Sequence, residues 1–277
     1  VSRVPFGHAS REVMRMRTLE DFKSLEAPVL DVGCGDGLFW ELLTDFNLTD
    51  KSSLSGLFGI DMNEHEVKLA KEALKNSGGR FEVADITGEF KNHTLQEFKG
   101  SFKTVIANSS LEHIPDLNNT LDNIKKLMSP KGTFILFVPA HSWTNTLWLT
   151  RFLNKFSTRL GGLYEGWING FFQHYHLYPF HLWELLLKDK GFDSISITGL
   201  GSKSGNRLYE KWLPLAFPAF IFKAIFNRYP TFVLSAIKQK CLAFEKKFIQ
   251  DVDEGEILHE DLMNNDIVEY CIICKSV

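Results

Sequence analysis

Between residues 28 and 140 the chain alternates two hydrophobic rhythms. Short apolar runs at 29–32, 54–60, 80–84, 103–107 and 133–138 have the length and side chains of strands. Between them lie segments whose apolar residues fall three and four apart. The first runs from Leu38 to about Phe46. The second is capped by Asn63, with Glu66 as capping-box partner, and puts Val67, Ala70 and Leu74 on one face. The third is marked by Leu117, Leu121, Ile124 and Met128 and stops at Ser129-Pro130-Lys131-Gly132. Ahead of them, residues 8–25 read as a helix with Val13, Met16, Leu19 and Phe22 on one side, ended by Pro28. Strands alternating with amphipathic helices predict a mostly parallel, Rossmann-like α/β sheet covered on both faces. Any ligand then lies beyond the carboxyl ends of the strands.

The alternation breaks after Ala140. About 40 aromatic-rich residues come before a helix near 181–190, which Gly191 ends, and a strand at 194–200. A second irregular stretch, 201–265, comes before a last strand at 267–275. The count is seven strands. No Pro/Gly/Ser-rich linker divides the chain. It reads as one domain, 1–277, with an N-terminal helix (1–27), a core (28–140) and two insertions (141–180 and 201–265).

Composition narrows the function. The chain has 31 basic and 34 acidic residues, a net charge of −3, so no basic surplus is present to hold a nucleic-acid backbone. Cys34, Cys241, Cys271 and Cys274 are too few for a disulfide framework, and a cytoplasmic location is expected. Of 36 aromatic residues, 24 lie after residue 140. The segment 212–248 carries seven phenylalanines, but its longest apolar run is too short for a bilayer span. It reads as a helical cover, as a lid over a hydrophobic acceptor pocket, or as a peripheral membrane contact.

The densest chemistry is Val29-Leu30-Asp31-Val32-Gly33-Cys34-Gly35-Asp36-Gly37, a strand running into a glycine turn and then a helix. Dinucleotide, phosphate and nucleoside sites all use such turns. Here Asp31 and Asp36 disfavour a pyrophosphate and favour a cationic ligand, and no Lys-Ser/Thr of a P-loop follows. Asp61, at the tip of the second strand beside Met62, can accept hydrogen bonds from both hydroxyls of a ribose. A nucleoside with positive charge and no phosphate fits, and S-adenosylmethionine is such a molecule.

These residues resemble the class I S-adenosylmethionine-dependent methyltransferases, small-molecule branch. The resemblance is close over 27–140 and looser over 174–200. The glycine turn, with Gly33, Cys34 and Gly35, is similar to the family's first motif. Asp61 matches its ribose-binding acid. Ala84-Asp85-Ile86 looks like the third motif, which implies that Asp85 meets the adenine amino group and Ile86 packs on the ring. Asn108-Ser109-Ser110-Leu111-Glu112-His113 resembles the fourth, which borders the methionine moiety and the acceptor. Leu127 to Thr133 resembles an L-x-P-G-G turn with Lys131 for the first glycine, a change a type I turn accommodates. The family fold has seven strands, the last antiparallel.

The resemblance implies transfer of the sulfonium methyl to a small acceptor, with S-adenosylhomocysteine as product. The acceptor is expected to be hydrophobic or lipid-like, since the aromatic surplus lies in the insertions. His113 is the candidate base, with packing and loop orientation as the alternative role. His174, Tyr175 and His176 are candidates for the acceptor wall. No metal is expected at His174 and His176, because no carboxylate lies near them in sequence. The rival reading is a protein of the same fold that binds the cofactor without transfer.

Overall fold

The computed structural model describes residues 25–45, 51–88, 93–201 and 258–277, with Glu12, Arg15, Thr18, Glu210, Pro218, Ile221, Phe222 and Ile225 as single positions. Of the aromatic segment 212–248, only the last four of these belong to the described residues.

The strands form where the apolar runs fall. They are β1 (Val29–Val32), β2 (Leu57–Asp61), β3 (Arg80–Val83), β4 (Phe102–Asn108), β5 (Met128–Pro139), β6 (Phe192–Leu200), β7 (Leu258–His259) and β8 (Glu269–Ser276). β1 pairs in parallel with β2 and β4, through Val29↔Leu57 and Val29↔Thr104, and β2 with β3 and β4 with β5 extend the set. The order is β3-β2-β1-β4-β5-β8-β6-β7, with antiparallel pairing of β6 and β7 at Gly199↔His259. The two-residue β7 is the strand beyond the expected seven. Leu30, Val105, Ile106, Phe134, Leu136 and Phe137 are fully buried, as the central strands of a sheet covered on both faces require. The order reverses between β1 and β4, so the crevice for a ligand opens beyond the carboxyl ends of these two strands.

The helices are α1 (Leu38–Asp45), α2 (Glu64–Ala73), α3 (His93–Gln96), α4 (Leu117–Leu127), α5 (Trp148–Phe156), α6 (Thr158–Phe171) and α7 (Phe180–Asp189). Asn63 caps α2, its side chain accepting from the N–H groups of His65 and Glu66. Asp116 caps α4 by accepting from Asn119.

Two local expectations need correction. Residues 51–56 form a 3-10 turn, and β2 begins only at Leu57. The turn 129–132 does not separate α4 from β5. It is looped out of β5, since Phe102 pairs with Met128 and Thr104 with Thr133. Lys131 there has φ +61°, the left-handed region that favours glycine, so Lys131 is not the neutral replacement that a type I turn would make it.

The chain divides into two compact units. One comprises Asp21–His141, Phe172–Thr198 and Tyr270–Val277, and holds β1 to β5, most of β6 and most of β8. The other comprises Val1–Glu20, Ser142–Phe171 and Gly199–Glu269, and holds α5, α6 and β7.

In the second unit Arg15 is buried and forms a bidentate pair with Glu269, at 2.7 and 2.8 Å, and a third contact to Glu12 at 2.7 Å. The Glu210 carboxylate accepts from the N–H groups of Trp148 and Leu149 and so caps α5. A Cβ on Gly161 would run into the Asn154 side chain, which is how α5 and α6 approach so closely.

Candidate functional site

The site is built at the carboxyl ends of β1 to β4, all within the first unit. Gly33 and Gly35 carry φ values of +77° and +51°. A Cβ on Gly33 would strike Ser110, whereas nothing lies within 4 Å of one on Gly35. The turn is therefore packed from below at Gly33 and open at Gly35. The N–H groups of Gly33 and Cys34 both donate to Ile60 O, at 2.8 and 2.9 Å, which fastens the turn to β2.

Asp61 is held by the same turn. Its Oδ2 accepts from Gly35 N at 3.0 Å and its Oδ1 from Asn63 N at 2.8 Å. A carboxylate has about four acceptor positions. Two backbone bonds fix its plane and leave one position on each oxygen for a pair of hydroxyls. Met62 beside it is 66% exposed and offers an apolar face.

Asp31 does not stand at the mouth of the turn. It is 2% exposed and accepts from Trp40 Nε1 at 2.6 Å, so it locks α1 beneath the loop. Asp36 accepts from Leu38 N at 3.1 Å and caps α1. Asp85 is exposed, and its Oδ1 accepts from both N and Oγ1 of Thr87. Ile86 is buried. Its carbonyl is pinned by Asn123 Nδ2 at 2.8 Å.

The fourth-strand segment closes the other side. Asn108 is half-buried, and Ser109 takes φ +49° while its N–H donates to Phe137 O. Ser110 Oγ donates to Val32 O at 2.6 Å, tying this segment to the glycine turn. Leu111–His113 is one 3-10 turn. His113 Nδ1 lies 3.2 Å from Gln173 O, so a neutral ring carries its proton there. Its Nε2 lies 3.7 Å from Oε1 of the buried Glu112.

Residues 172–178 run along this turn. His174 packs on His113 with ring centres 5.4 Å apart and stacks on Phe172. Tyr175 N donates to Glu112 O at 2.8 Å, and its ring is exposed. His176 sits 2.8 Å from Ile114 O and 3.1 Å from the Tyr178 hydroxyl. Glu112, His113 and His174 bring ligand-type atoms within 4.8 Å of one another. Sequence reasoning missed this because His174 is near Glu112 and His113 in space and far from them along the chain. Ser110, which reaches Val32 O from 78 residues away, was missed for the same reason, and Trp40, nine residues from Asp31, because a tryptophan at the start of a helix reads as packing. Cys271 and Cys274, like Cys34, are free thiols.

Burial first, and then the neighbouring Asp31 and Asp61, push the Cys34 thiol well above its ordinary range. Cys34 is thus an inert packing group of the turn. His141, just after β5, has its pKa lowered by burial and then by His181, and Tyr270 OH approaches its Nδ1 at 3.4 Å. A separate cleft of about 440 Å³ is lined by Asp116, Leu117, His176, Tyr178, Leu182 and Leu186, among others. No residue of the glycine turn contributes to its wall.

Known proteins are similar to this chain in sequence and in fold. Residues 23–153 match a family described as a methyltransferase domain. The ubiquinone biosynthesis O-methyltransferase of Pseudomonas paraeruginosa is 31% identical over 108 residues, which are 39% of this chain and 42% of that protein. The trans-aconitate 2-methyltransferase of Deinococcus radiodurans is 30% identical over 138 residues, 49% of this chain and 47% of that protein. The chain thus spans less than half the length of either relative. In fold it is similar to a SAM dependent methyltransferase from Archaeoglobus fulgidus, with TM-score 0.51, 15% identity, and coverage of 96% of this chain and 93% of that one.

Proposed function

We propose that this chain, which belongs to the class I S-adenosylmethionine-dependent methyltransferases through its residues 23–153, methylates a small, hydrophobic or lipid-like acceptor and releases S-adenosylhomocysteine. One observation carries the reading: Asp61 is fixed by the N–H groups of Gly35 and Asn63 beside an open Gly35. A fixed carboxylate with spare acceptor positions suits a ribose diol, and an uncovered glycine lets a ligand lie against the backbone.

Gly33, Cys34 and Gly35 form the floor for the amino-acid part of the cofactor. Asp61 takes the ribose. Met62 offers its exposed side chain to the adenine ring, and Asp85 its exposed carboxylate to the adenine amino group. The buried Ile86 supports the ring's surroundings from within. Asn108 and Ser109 border the methionine part. When bound, the cofactor supplies a methyl group already activated by the sulfonium charge. The protein's task is then to align the acceptor's nucleophilic atom and exclude water.

A base is needed only where that atom arrives protonated. His113 has the form for it: a carbonyl fixes the Nδ1 proton, and Nε2 is left beside the Glu112 carboxylate. His174, Tyr175 and His176 supply a polar aromatic wall for the acceptor. Its hydrophobic character is supported by the aromatic surplus after residue 140.

Calorimetry with S-adenosylmethionine tests the common ground, and no heat at millimolar cofactor overturns the reading. Incubation with cell extract and labelled cofactor then tests transfer, read as a product one methylene heavier than its precursor. Binding without any labelled product favours the rival reading, a cofactor-binding protein of this fold. In the His113→Ala variant we expect kcat to fall about 100-fold, with KM for the cofactor unchanged. Turnover near the parent's removes the base role.

A further inference from the structure

α5 and α6 present their apolar residues the wrong way round for a core. On α5, Thr150 is buried, while Trp148, Phe152 and Phe156, four residues apart, point outward at 61%, 39% and 72% exposure. The three rings lie against one another in a row, with centres 5.0 Å apart at each step. On α6, Ile168 and Gly161 are buried, while Leu160, Leu163 and Trp167 are exposed. Six large apolar side chains within 20 residues are too many for the scattered exposure of an ordinary surface.

Charge says what such a face meets. Residues 142–171 hold three cations, Arg151, Lys155 and Arg159, against the single acid Glu165, in a chain of net charge −3. Arg151 and Lys155 follow Trp148 and Phe152 by three positions along the same helix, so a cationic row runs beside the aromatic row. Arg151 also reaches Asn145 O at 2.7 Å and Asp266 at 3.5 Å. Lys155 and Arg159 are exposed.

We propose that α5 and α6 dock this chain on a membrane surface containing anionic lipid. Aromatic rings enter the boundary between headgroups and acyl chains, and Lys155 and Arg159 meet the lipid phosphates. Neither helix spans: they have 9 and 14 residues, and a bilayer core needs about 20. No helix among the described residues is long and apolar enough to cross. A second copy docked symmetrically through the same face would set its cationic row against this one, which disfavours self-association. The proposal does not depend on methyl transfer.

The test is sedimentation of the full chain with vesicles, without cofactor or acceptor. One set is phosphatidylcholine alone, and the other contains about one quarter phosphatidylglycerol. Binding to the anionic set is expected to be about tenfold tighter or more, and to weaken at high salt. The double variant Trp148→Ala/Phe156→Ala should lose about tenfold or more on the anionic set, with circular dichroism unchanged. Lys155→Gln/Arg159→Gln should lose only the preference for anionic lipid. If the aromatic variant does not fold, tryptophan quenching of the parent chain by brominated lipid reads insertion directly. The proposal is overturned by a parent chain that stays in the supernatant, by an aromatic variant that sediments like the parent, or by light scattering that shows a dimer this variant splits. Because cofactor and acceptor are absent, these outcomes leave the transfer reading untouched.

Discussion

Asp61 is the residue on which the candidate site turns. Its two oxygens are oriented by Gly35 N and Asn63 N before any ligand arrives, so little ordering remains at binding. Asp61→Asn keeps the size but removes the charge and one acceptor. Hydrogen bonds to a charged group contribute about 1.5–3 kcal/mol each, so calorimetry should show S-adenosylmethionine bound about tenfold or more weakly. Lys131 works in the opposite sense. At φ +61° it bears a left-handed backbone that costs an L-residue about 1–2 kcal/mol. Lys131→Gly gives part of this back through the freedom of glycine in the unfolded chain, about 0.5–1 kcal/mol. A gain of about 0.5 kcal/mol in urea unfolding is expected, with cofactor affinity unchanged.

At the scale of elements, Arg15 is tied to the start of β8 by charge. Arg15 is buried and shared between Glu12 and Glu269, which lies 254 residues away. Removing one member of a buried ion cluster strands the others, at about 3–5 kcal/mol. Arg15→Ala should therefore lower the urea midpoint by a corresponding amount. This buried ion cluster was not readable from the sequence, because a charged residue ordinarily faces water. β1, β3 and β4 were readable nearly to their ends. Each is a short run bounded by Gly, Pro or Asn, where local chemistry alone breaks the extended backbone. The start of β2 was not, since Lys51–Gly56 has strand-like composition at Leu54 yet folds as a 3-10 turn.

On the scale of the whole molecule, the buried thiols give the stability a pH dependence. Burial raises Cys34, and burial with Asp193 pushes Cys274 up to about 12, partly offset by Lys125. Unfolded thiols titrate near 9.0. Below that both states hold the proton, and stability does not change with pH. Above it the unfolded chain releases protons that the folded chain keeps, so stability falls. For Cys274 the fall runs from about pH 9 to about 12, at roughly 1 kcal/mol per pH unit. Urea unfolding from pH 8 to 11 should show this decline, and Cys274→Ala should flatten part of it. A thiol reagent at pH 8 should label neither cysteine before unfolding.

The amino-acid sequence by itself determined the order of elements and pointed to the kind of cofactor. Hydrophobic spacing dictates local backbone, and the turn at Gly33–Gly37 with Asp61 one strand later is a local signal repeated at two strand ends. It also located the surplus of aromatic residues. Only the tertiary structure decided which groups meet: Ser110 with Val32, Asp31 with Trp40, and Glu112 with His113 and His174. Only it turned Trp148, Phe152 and Phe156 outward. The reason is physical. Periodicity says that a helix has an apolar side, but whether that side is buried depends on what the rest of the chain brings to cover it.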